Sequence, residues 1–199
     1  MRPKQTLPPA TRKTCARLAT FGAALAFAAA AAAQGGWVAA RRGPSGRDLN
    51  TVFFAGEKRG WIGGDHGTIL HTDDAGTTWS RQRSPATATL YHVDFADDKN
   101  GWAVGERSTV LRTTDGGETW AQVSAPAAGR DATLLSVAFA NDEDGWIVGR
   151  GGLVLRSEDG GRTWLRQESG TKQNLYALFI NKKQGWAVGG DGMVLQYDR

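Results

Sequence analysis

The chain has 199 residues, a length that suggests one domain. It contains 27 glycines and 8 tryptophans but a single cysteine, which fits a turn-rich β protein and excludes an internal disulfide framework. The formal net charge is +4, from 24 basic and 20 acidic residues. Five of the basic residues and none of the acidic ones lie in residues 1–33, so 19 basic residues remain beside 20 acidic ones. That balance gives no reason to expect nucleic-acid binding.

Residues 1–33 are predicted to be a secretory signal peptide. A basic segment precedes the apolar run Leu18–Ala33, and Ala31 and Ala33 form a cleavage site of the small-residue type. The alternative, an uncleaved N-terminal anchor, stays open. We expect the mature domain to span residues 34–199, without the one cysteine, Cys15.

The rest of the chain consists of four repeats. Each repeat contains a Gly-Trp pair, and its tryptophans are Trp61, Trp102, Trp146 and Trp186. A second tryptophan follows 18 positions later in the first three repeats, at Trp79, Trp120 and Trp164. A fixed period near 40 residues is typical of repeat architectures.

Each repeat predicts four β-strands. A Leu-x-x-Val-x-Phe pattern begins at Leu49, Leu90 and Leu134, and LYALFI at 175–180 is its counterpart in the fourth repeat. A short polar turn, the Gly-Trp strand, a glycine turn and a third strand with adjacent apolar residues come next. A fourth strand is predicted around the second tryptophan, as in TWSRQ. Four strands in about 40 residues indicate one blade of an all-β propeller.

The turn before the second tryptophan has a recurring composition. The recurring pattern is Ser/Thr-x-Asp-x-Gly-x-Thr-Trp, carried by Asp74, Gly76 and Trp79, by Asp115, Gly117 and Trp120, and by Asp159, Gly161 and Trp164. An aspartate can accept backbone hydrogen bonds within its own turn, and a glycine tolerates positive φ. The tryptophan can cover apolar area between neighbouring sheets. We therefore expect these nine residues to be structural.

This turn is the Asp-box, or bacterial neuraminidase repeat. The whole unit, L..V.F….GW.VG..G.IL.T.DGG.TW, resembles the repeat of the photosystem II stability and assembly factor family and its bacterial relatives. The resemblance implies an exported propeller that acts as a protein-binding scaffold or assembly factor for a membrane or envelope complex. It also implies a periplasmic location, or the thylakoid lumen in a photosynthetic host. Members of that family usually have about seven blades, whereas this chain has material for four.

No catalytic, metal-binding or cofactor-binding constellation is predicted. The histidines His66, His71 and His92 lack metal-ligand spacing. Sialidases share the Asp-box, so a carbohydrate-binding or sialidase-like propeller is the alternative. It requires an arginine triad and a tyrosine with an acidic partner, and the stretch that usually carries the first arginine is missing.

Basic residues recur at one position of the third strands. The tenth residue after each Gly-Trp tryptophan is His71, Arg112, Arg156 or Gln196, and Arg107 and Arg150 lie in the adjoining glycine turns. If rotation relates the blades, the basic members can form a patch that binds an acidic segment of a partner. The alternative is ordinary polar residues at sheet edges.

The fourth repeat lacks its own fourth strand, and Trp37 is the one tryptophan left over. We predict that Trp37–Arg41 pairs beside residues 193–197 and closes a four-bladed ring. A closed ring predicts a monomer. The alternative is a partial arc that pairs with a second copy as a homodimer.

Overall fold

The structure, a computed structural model, describes Trp37 and residues 47–198. Its strands form three four-stranded antiparallel sheets and one three-stranded sheet, which we call blades 1 to 4. Blade 1 comprises β1 (Leu49–Ala55), β2 (Arg59–Gly64), β3 (Thr68–Thr72) and β4 (Ser80–Arg81). Blade 2 comprises β5 (Leu90–Phe95), β6 (Gly101–Gly105), β7 (Val110–Thr113) and β8 (Ala121–Val123). Blade 3 comprises β9 (Leu134–Phe139), β10 (Gly145–Gly149), β11 (Val154–Ser157) and β12 (Leu165–Gln167).

Blade 4 comprises β13 (Leu175–Ile180), β14 (Gln184–Gly189) and β15 (Val194–Asp198). Short 3-10 turns lie at Asp65–Gly67, Pro126–Ala128, Arg150–Gly152 and Gly190–Gly192. Within each blade the strands pair in chain order, so the predicted succession of strands is confirmed. The fourth strands differ in extent, because each begins directly after its tryptophan rather than including it. Among the described residues no helix is long and apolar enough to cross a membrane.

The apolar core lies between neighbouring blades. Trp61 of β2 stacks on Phe95 of β5 with ring centroids 3.8 Å apart, and Trp102 of β6 stacks on Phe139 of β9 at 3.4 Å. Both tryptophans are fully buried. The Gly-Trp strands of blades 1 and 2 therefore present their indoles to the first strand of the next blade. This stacking places a large aromatic area out of water and sets the order of the blades.

First strands of successive blades also contact each other through polar groups. Asn50 Nδ2 of β1 donates to the carbonyl of Leu90 in β5 at 3.1 Å. Asp94 Oδ2 of β5 accepts a hydrogen bond from the Phe139 amide of β9 at 3.1 Å. These bonds satisfy backbone groups on the sides of the strands that have no neighbour within their own blade.

Both terminal blades present apolar side chains to solvent. On β1, Val52 and Phe54 are exposed. On blade 4, exposed Ala177, Phe179, Val188 and Val194 and half-buried Trp186 share the face that points away from blade 3, which we call the open face. In the first three blades the corresponding face is covered by the next blade.

The propeller-type blades are confirmed, whereas closure of the ring is not. The described residues place no fourth strand beside β15. Residues 38–41, which complete the predicted closing strand, lie outside the described residues, as does the predicted signal peptide. Closure by the N-terminal strand therefore stays a prediction.

Candidate functional site

The three Asp-Gly turns, at residues 72–79, 113–120 and 157–164, share one hydrogen-bond pattern. In the first, Asp74 Oδ1 accepts from the amide of Thr78 at 2.8 Å and from the hydroxyl of Thr72 at 2.7 Å. The Thr72 hydroxyl oxygen in turn accepts from the amide of Gly76 at 3.0 Å. Equivalent bonds hold Asp115 and Asp159 in the other two turns. The Asp carboxylates therefore bind their own turns.

These bonds keep the turn carboxylates ionised. The backbone amide and hydroxyl of Thr78 lower the pKa of Asp74 to about 2. Partial burial raises the pKa of Asp159, but bonds from the Thr163 hydroxyl and amide outweigh that effect and lower the pKa to about 2. A carboxylate with so low a pKa and with both oxygens occupied is poorly suited to general acid or base chemistry.

The Asp-Gly turns of blades 2 and 3 dock on the preceding blade through their first glycine position. Trp61 Nε1 donates to the carbonyl of Gly116 at 3.2 Å, and Trp102 Nε1 donates to the carbonyl of Gly160 at 3.2 Å. Arg112 Nε donates to the same Gly160 carbonyl at 2.7 Å. The tenth-position arginine of blade 2 thus binds the turn of blade 3.

In the turns of blades 2 and 3, the second glycine lies against the same indole. A Cβ atom built on Gly117 would lie 2.9 Å from Trp61 Nε1, and one built on Gly161 would collide with Trp102 Nε1. Both glycines also have positive φ, 88° and 76°. Close approach and backbone conformation therefore both require glycine at this position.

In blade 3 the corresponding donors lack an acceptor. Trp146 is 4% exposed, and its Nε1 has no hydrogen-bond partner among the described residues; the same holds for Arg156 Nε. The guanidinium lies over the Trp146 ring at 5.3 Å and contacts Glu158 through Nη2 at 2.9 Å. We call Trp146 Nε1 and Arg156 Nε the open donor pair.

A cavity of about 160 Å³ lies beside Trp146. Trp146, Ile180 and Tyr197 are among its lining residues. Ile180 occupies the position at which Phe95 and Phe139 stack on the preceding tryptophans, so no aromatic ring from β13 covers Trp146. Tyr197 packs against Trp146 with ring centroids 5.1 Å apart. The interface between blades 3 and 4 is therefore less tightly packed than the interface of blades 1 and 2 or that of blades 2 and 3.

The five predicted basic residues lie at two different positions along the chain of each blade. Arg112 and Arg156 lie at the end of the third strands that leads into the Asp-Gly turns. His71 shares their position and packs its ring 5.0 Å from Trp61. Arg107 and Arg150 lie in the turns at the opposite ends of these strands, where Arg107 Nη2 donates to Thr87 Oγ1 at 3.2 Å. Binding of an acidic segment by these residues stays a prediction.

Sequence reasoning placed Arg156 at a distinctive position but missed the role of Trp146. The sequence contains a signal that one indole lacks a turn to bind, since four repeats carry a Gly-Trp pair but three carry an Asp-Gly turn. Among the described residues, no group of three or more His, Cys, Asp or Glu side chains is arranged to hold a metal ion. The one tyrosine bonded to a carboxylate there is Tyr91, which donates to Glu106 Oε1 at 2.8 Å.

Comparisons with solved structures describe the fold. A crystal structure of the computationally designed Ika4 protein has a TM-score of 0.63 and 16% identity, covering 76% of this chain and 91% of its own. The xyloglucanase of glycoside hydrolase family 74 from Xanthomonas campestris has a TM-score of 0.57 and 17% identity, covering 69% of this chain but 25% of its own. A structure of YCF48 bound to D1 peptide has a TM-score of 0.35 and 19% identity, covering 77% of this chain and 79% of its own.

Comparisons of sequence point to one family. No curated protein matches the chain. Residues 82–173, slightly less than half of the chain, match the sequence model described as photosynthesis system II assembly factor YCF48. This segment runs from the end of blade 1 to the connection before β13 and includes two of the Asp-Gly turns. The match confirms that the chain resembles the photosystem II assembly factor family.

Proposed function

We propose that this protein is a non-enzymatic propeller that binds a protein partner during the assembly or maintenance of a membrane or envelope complex. We further propose that it is exported to the periplasm, or to the thylakoid lumen in a photosynthetic host. The family match supports a role as an assembly factor. The basic and apolar segments of residues 1–33 support export.

The open face of blade 4 is the observation that carries the proposal. Phe179 is 58% exposed and Val194 is 63% exposed, on a face whose counterparts in blades 1 to 3 are buried by the next blade. A contiguous exposed apolar patch on a soluble domain marks a protein interaction site.

The carbohydrate alternative has one feature in its favour and one against it. The Tyr91–Glu106 bond resembles the tyrosine and acidic partner that a sialidase-like site requires. However, that bond raises the pKa of Tyr91, which disfavours the phenolate needed as a nucleophile. The xyloglucanase likeness concerns the fold alone. Sialidase turnover or specific binding to a glycan array would establish this alternative instead.

A second copy of the chain is the competing occupant of the open face. The exposed Val52 and Phe54 of blade 1 belong to the kind of surface that blades 2 to 4 bury against their neighbours. Mass determination in solution decides between the cases. If the protein is a dimer and Phe54→Ser converts it to a monomer, both terminal faces are assigned to self-association.

Affinity capture from the native envelope fraction tests the proposed function. The double variant Phe179→Ser, Val194→Ser should lose the captured partner, because it removes apolar area from the open face. Leu165→Ser is the matched control, since Leu165 is an exposed apolar residue of β12, outside the open face. Equal capture by all three proteins would contradict binding through the open face.

A further inference from the structure

In blades 2 and 3, the tryptophan that follows the Asp-Gly turn packs at the junction with the preceding blade. Trp120 lies edge-on against Phe95 of its own blade, with ring centroids 5.9 Å apart. Its Nε1 donates to Oε1 of Gln82 in blade 1 at 3.0 Å. Trp164 makes the same edge-on contact with Phe139 of blade 3, also at 5.9 Å. Both indoles are buried, and each belongs to a core cluster that includes the Gly-Trp tryptophan of the preceding blade.

The residue three positions after this tryptophan determines whether the next blade finds a hydrogen-bond acceptor. It is Gln82 in blade 1, Val123 in blade 2 and Gln167 in blade 3. Gln82 accepts from Trp120, whereas Val123 has no polar side chain, and Trp164 Nε1 is buried without a hydrogen-bond partner among the described residues. Gln167 restores the carboxamide, although the fourth repeat contains no second tryptophan to use it. A glutamine here is the favourable partner, because a buried N–H without an acceptor costs free energy.

The cavity of about 160 Å³ lies between the two groups that such an indole would contact. Gln167 and Ile180 both line it, and Ile180 takes the place of the phenylalanine against which the tryptophans of blades 2 and 3 pack. Trp146, Leu178 and Leu195 are among its apolar walls. A dry apolar cavity of about 150 Å³ can hold a benzene ring. Apolar walls and a carboxamide acceptor together suit an aromatic ring that carries an N–H donor.

We propose that this cavity binds an indole ring, whose N–H donates to Gln167 Oε1 and whose edge contacts Ile180. The ring belongs either to a free indole compound or to a tryptophan side chain of a polypeptide, two sources that binding measurements separate. The site goes beyond the proposed function, because it lies at the junction of blades 3 and 4 and not on the open face. Capture of an envelope partner through the open face neither requires this site nor excludes it.

Isothermal titration calorimetry with indole and with benzofuran tests the hydrogen bond in this site. Benzofuran has nearly the same shape as indole but carries no N–H, so the ratio of the two affinities reports the bond to Gln167. In Gln167→Val, which introduces the residue that blade 2 has at this position, the ratio should fall about tenfold, the value of one buried hydrogen bond. Benzofuran should still bind the variant, which would show that its cavity is intact.

Gln122→Val is the matched control, because Gln122 is an exposed glutamine of β8 that does not line the cavity. Its ratio of indole to benzofuran affinity should equal that of the parent. The proposal is overturned if indole binds neither the parent nor Trp37→Ala, or if Gln167→Val leaves the ratio unchanged.

N-acetyltryptophanamide and the variant Trp37→Ala identify the source of the ring. Tighter binding of N-acetyltryptophanamide than of indole would assign the site to a tryptophan side chain, and weaker binding would assign it to a free indole compound. Indole binding by Trp37→Ala but not by the parent would assign it to the chain's own tryptophan outside the repeats. In that case the comparison with Gln167→Val is made in the Trp37→Ala background, and an unchanged ratio there overturns the proposal equally.

Discussion

The indole Nε1 of Trp102 in blade 2 donates a hydrogen bond to the carbonyl of Gly160 in blade 3, at 3.2 Å. The two residues are 58 positions apart, so this bond joins consecutive repeats. Trp61 and Gly116 make the same bond one repeat earlier. The Gly-Trp pair and the Asp-Gly turn are therefore two halves of one contact, each supplied by a different blade.

Replacement of Trp102 by phenylalanine should lower the free energy of unfolding by about 1 kcal/mol more than the same change at Trp146. The first change removes a buried hydrogen bond, whereas the second removes a donor that has no partner among the described residues. The loss of ring volume is the same in both variants. Urea denaturation measures the difference, and equal losses would show that the bond to Gly160 contributes nothing.

Gly161→Ala should destabilise the protein severely, by about 3 kcal/mol or more, because overpacking and left-handed strain add. The new Cβ would collide with Trp102 Nε1, and φ at Gly161 is 76°. Gly151→Ala is the control, since φ there is 67° but no atom lies within 4 Å of the added carbon. The control should lose about 1 kcal/mol. If both variants lower the melting temperature by similar amounts, the close-approach explanation is refuted.

Asp115→Ala should cost about 2 kcal/mol in unfolding free energy, because the charged carboxylate accepts bonds within its turn. It receives the Thr119 amide at 3.0 Å and the Thr113 hydroxyl at 2.7 Å. Glu118→Ala changes an exposed residue of the same turn and should stay within about 0.5 kcal/mol of the parent. Comparable losses at both positions would argue against the specific role of the aspartate.

Asp94 should make stability depend on pH between about 4 and 6. Burial raises its pKa to about 6, despite the hydrogen bonds from the Phe139 and Phe95 amides. The folded state therefore holds a proton that the unfolded state has already released in this range, and the free energy of unfolding falls as pH rises. The fall should amount to about 2 to 3 kcal/mol.

Asp94→Asn should remove that fall, because an asparagine carries no charge to desolvate and its amide oxygen can still accept from the Phe139 amide. His92 contributes a slope of the opposite sign, since burial lowers its pKa, but it is present in both proteins. The quantity to measure is thus the parent-minus-variant difference in unfolding free energy from pH 4 to pH 7. A difference that does not change with pH would refute the role of Asp94.

The strands and their order were predictable from the sequence because each blade is built from contacts within about 40 residues. The fixed interval of 18 positions between Trp61 and Trp79 reflects one Gly-Trp strand, a glycine turn, a third strand and an Asp-Gly turn. The role of Arg112 was not predictable in the same way. Its partner, the Gly160 carbonyl, carries no side-chain signal and lies 48 positions away.

The predicted basic patch shows a second limit of sequence reasoning. Equivalent positions in successive repeats are related by rotation, but residues at the two ends of one strand are not neighbours. Arg107 lies in the turn before β7, whereas Arg112 lies near the far end of that strand. The burial of Asp94 also required the structure, because its environment is formed by β9 of the next blade.

Site-specific photo-crosslinking in intact cells tests the central claim, partner binding at the open face, most directly. A photoreactive phenylalanine analogue would replace Phe179, and a second protein would carry it at Glu118, which is exposed in a turn of blade 2. We predict an adduct of this chain with a different envelope protein from position 179 and none from position 118. No adduct at position 179, or the same adducts from both positions, would contradict the proposed function.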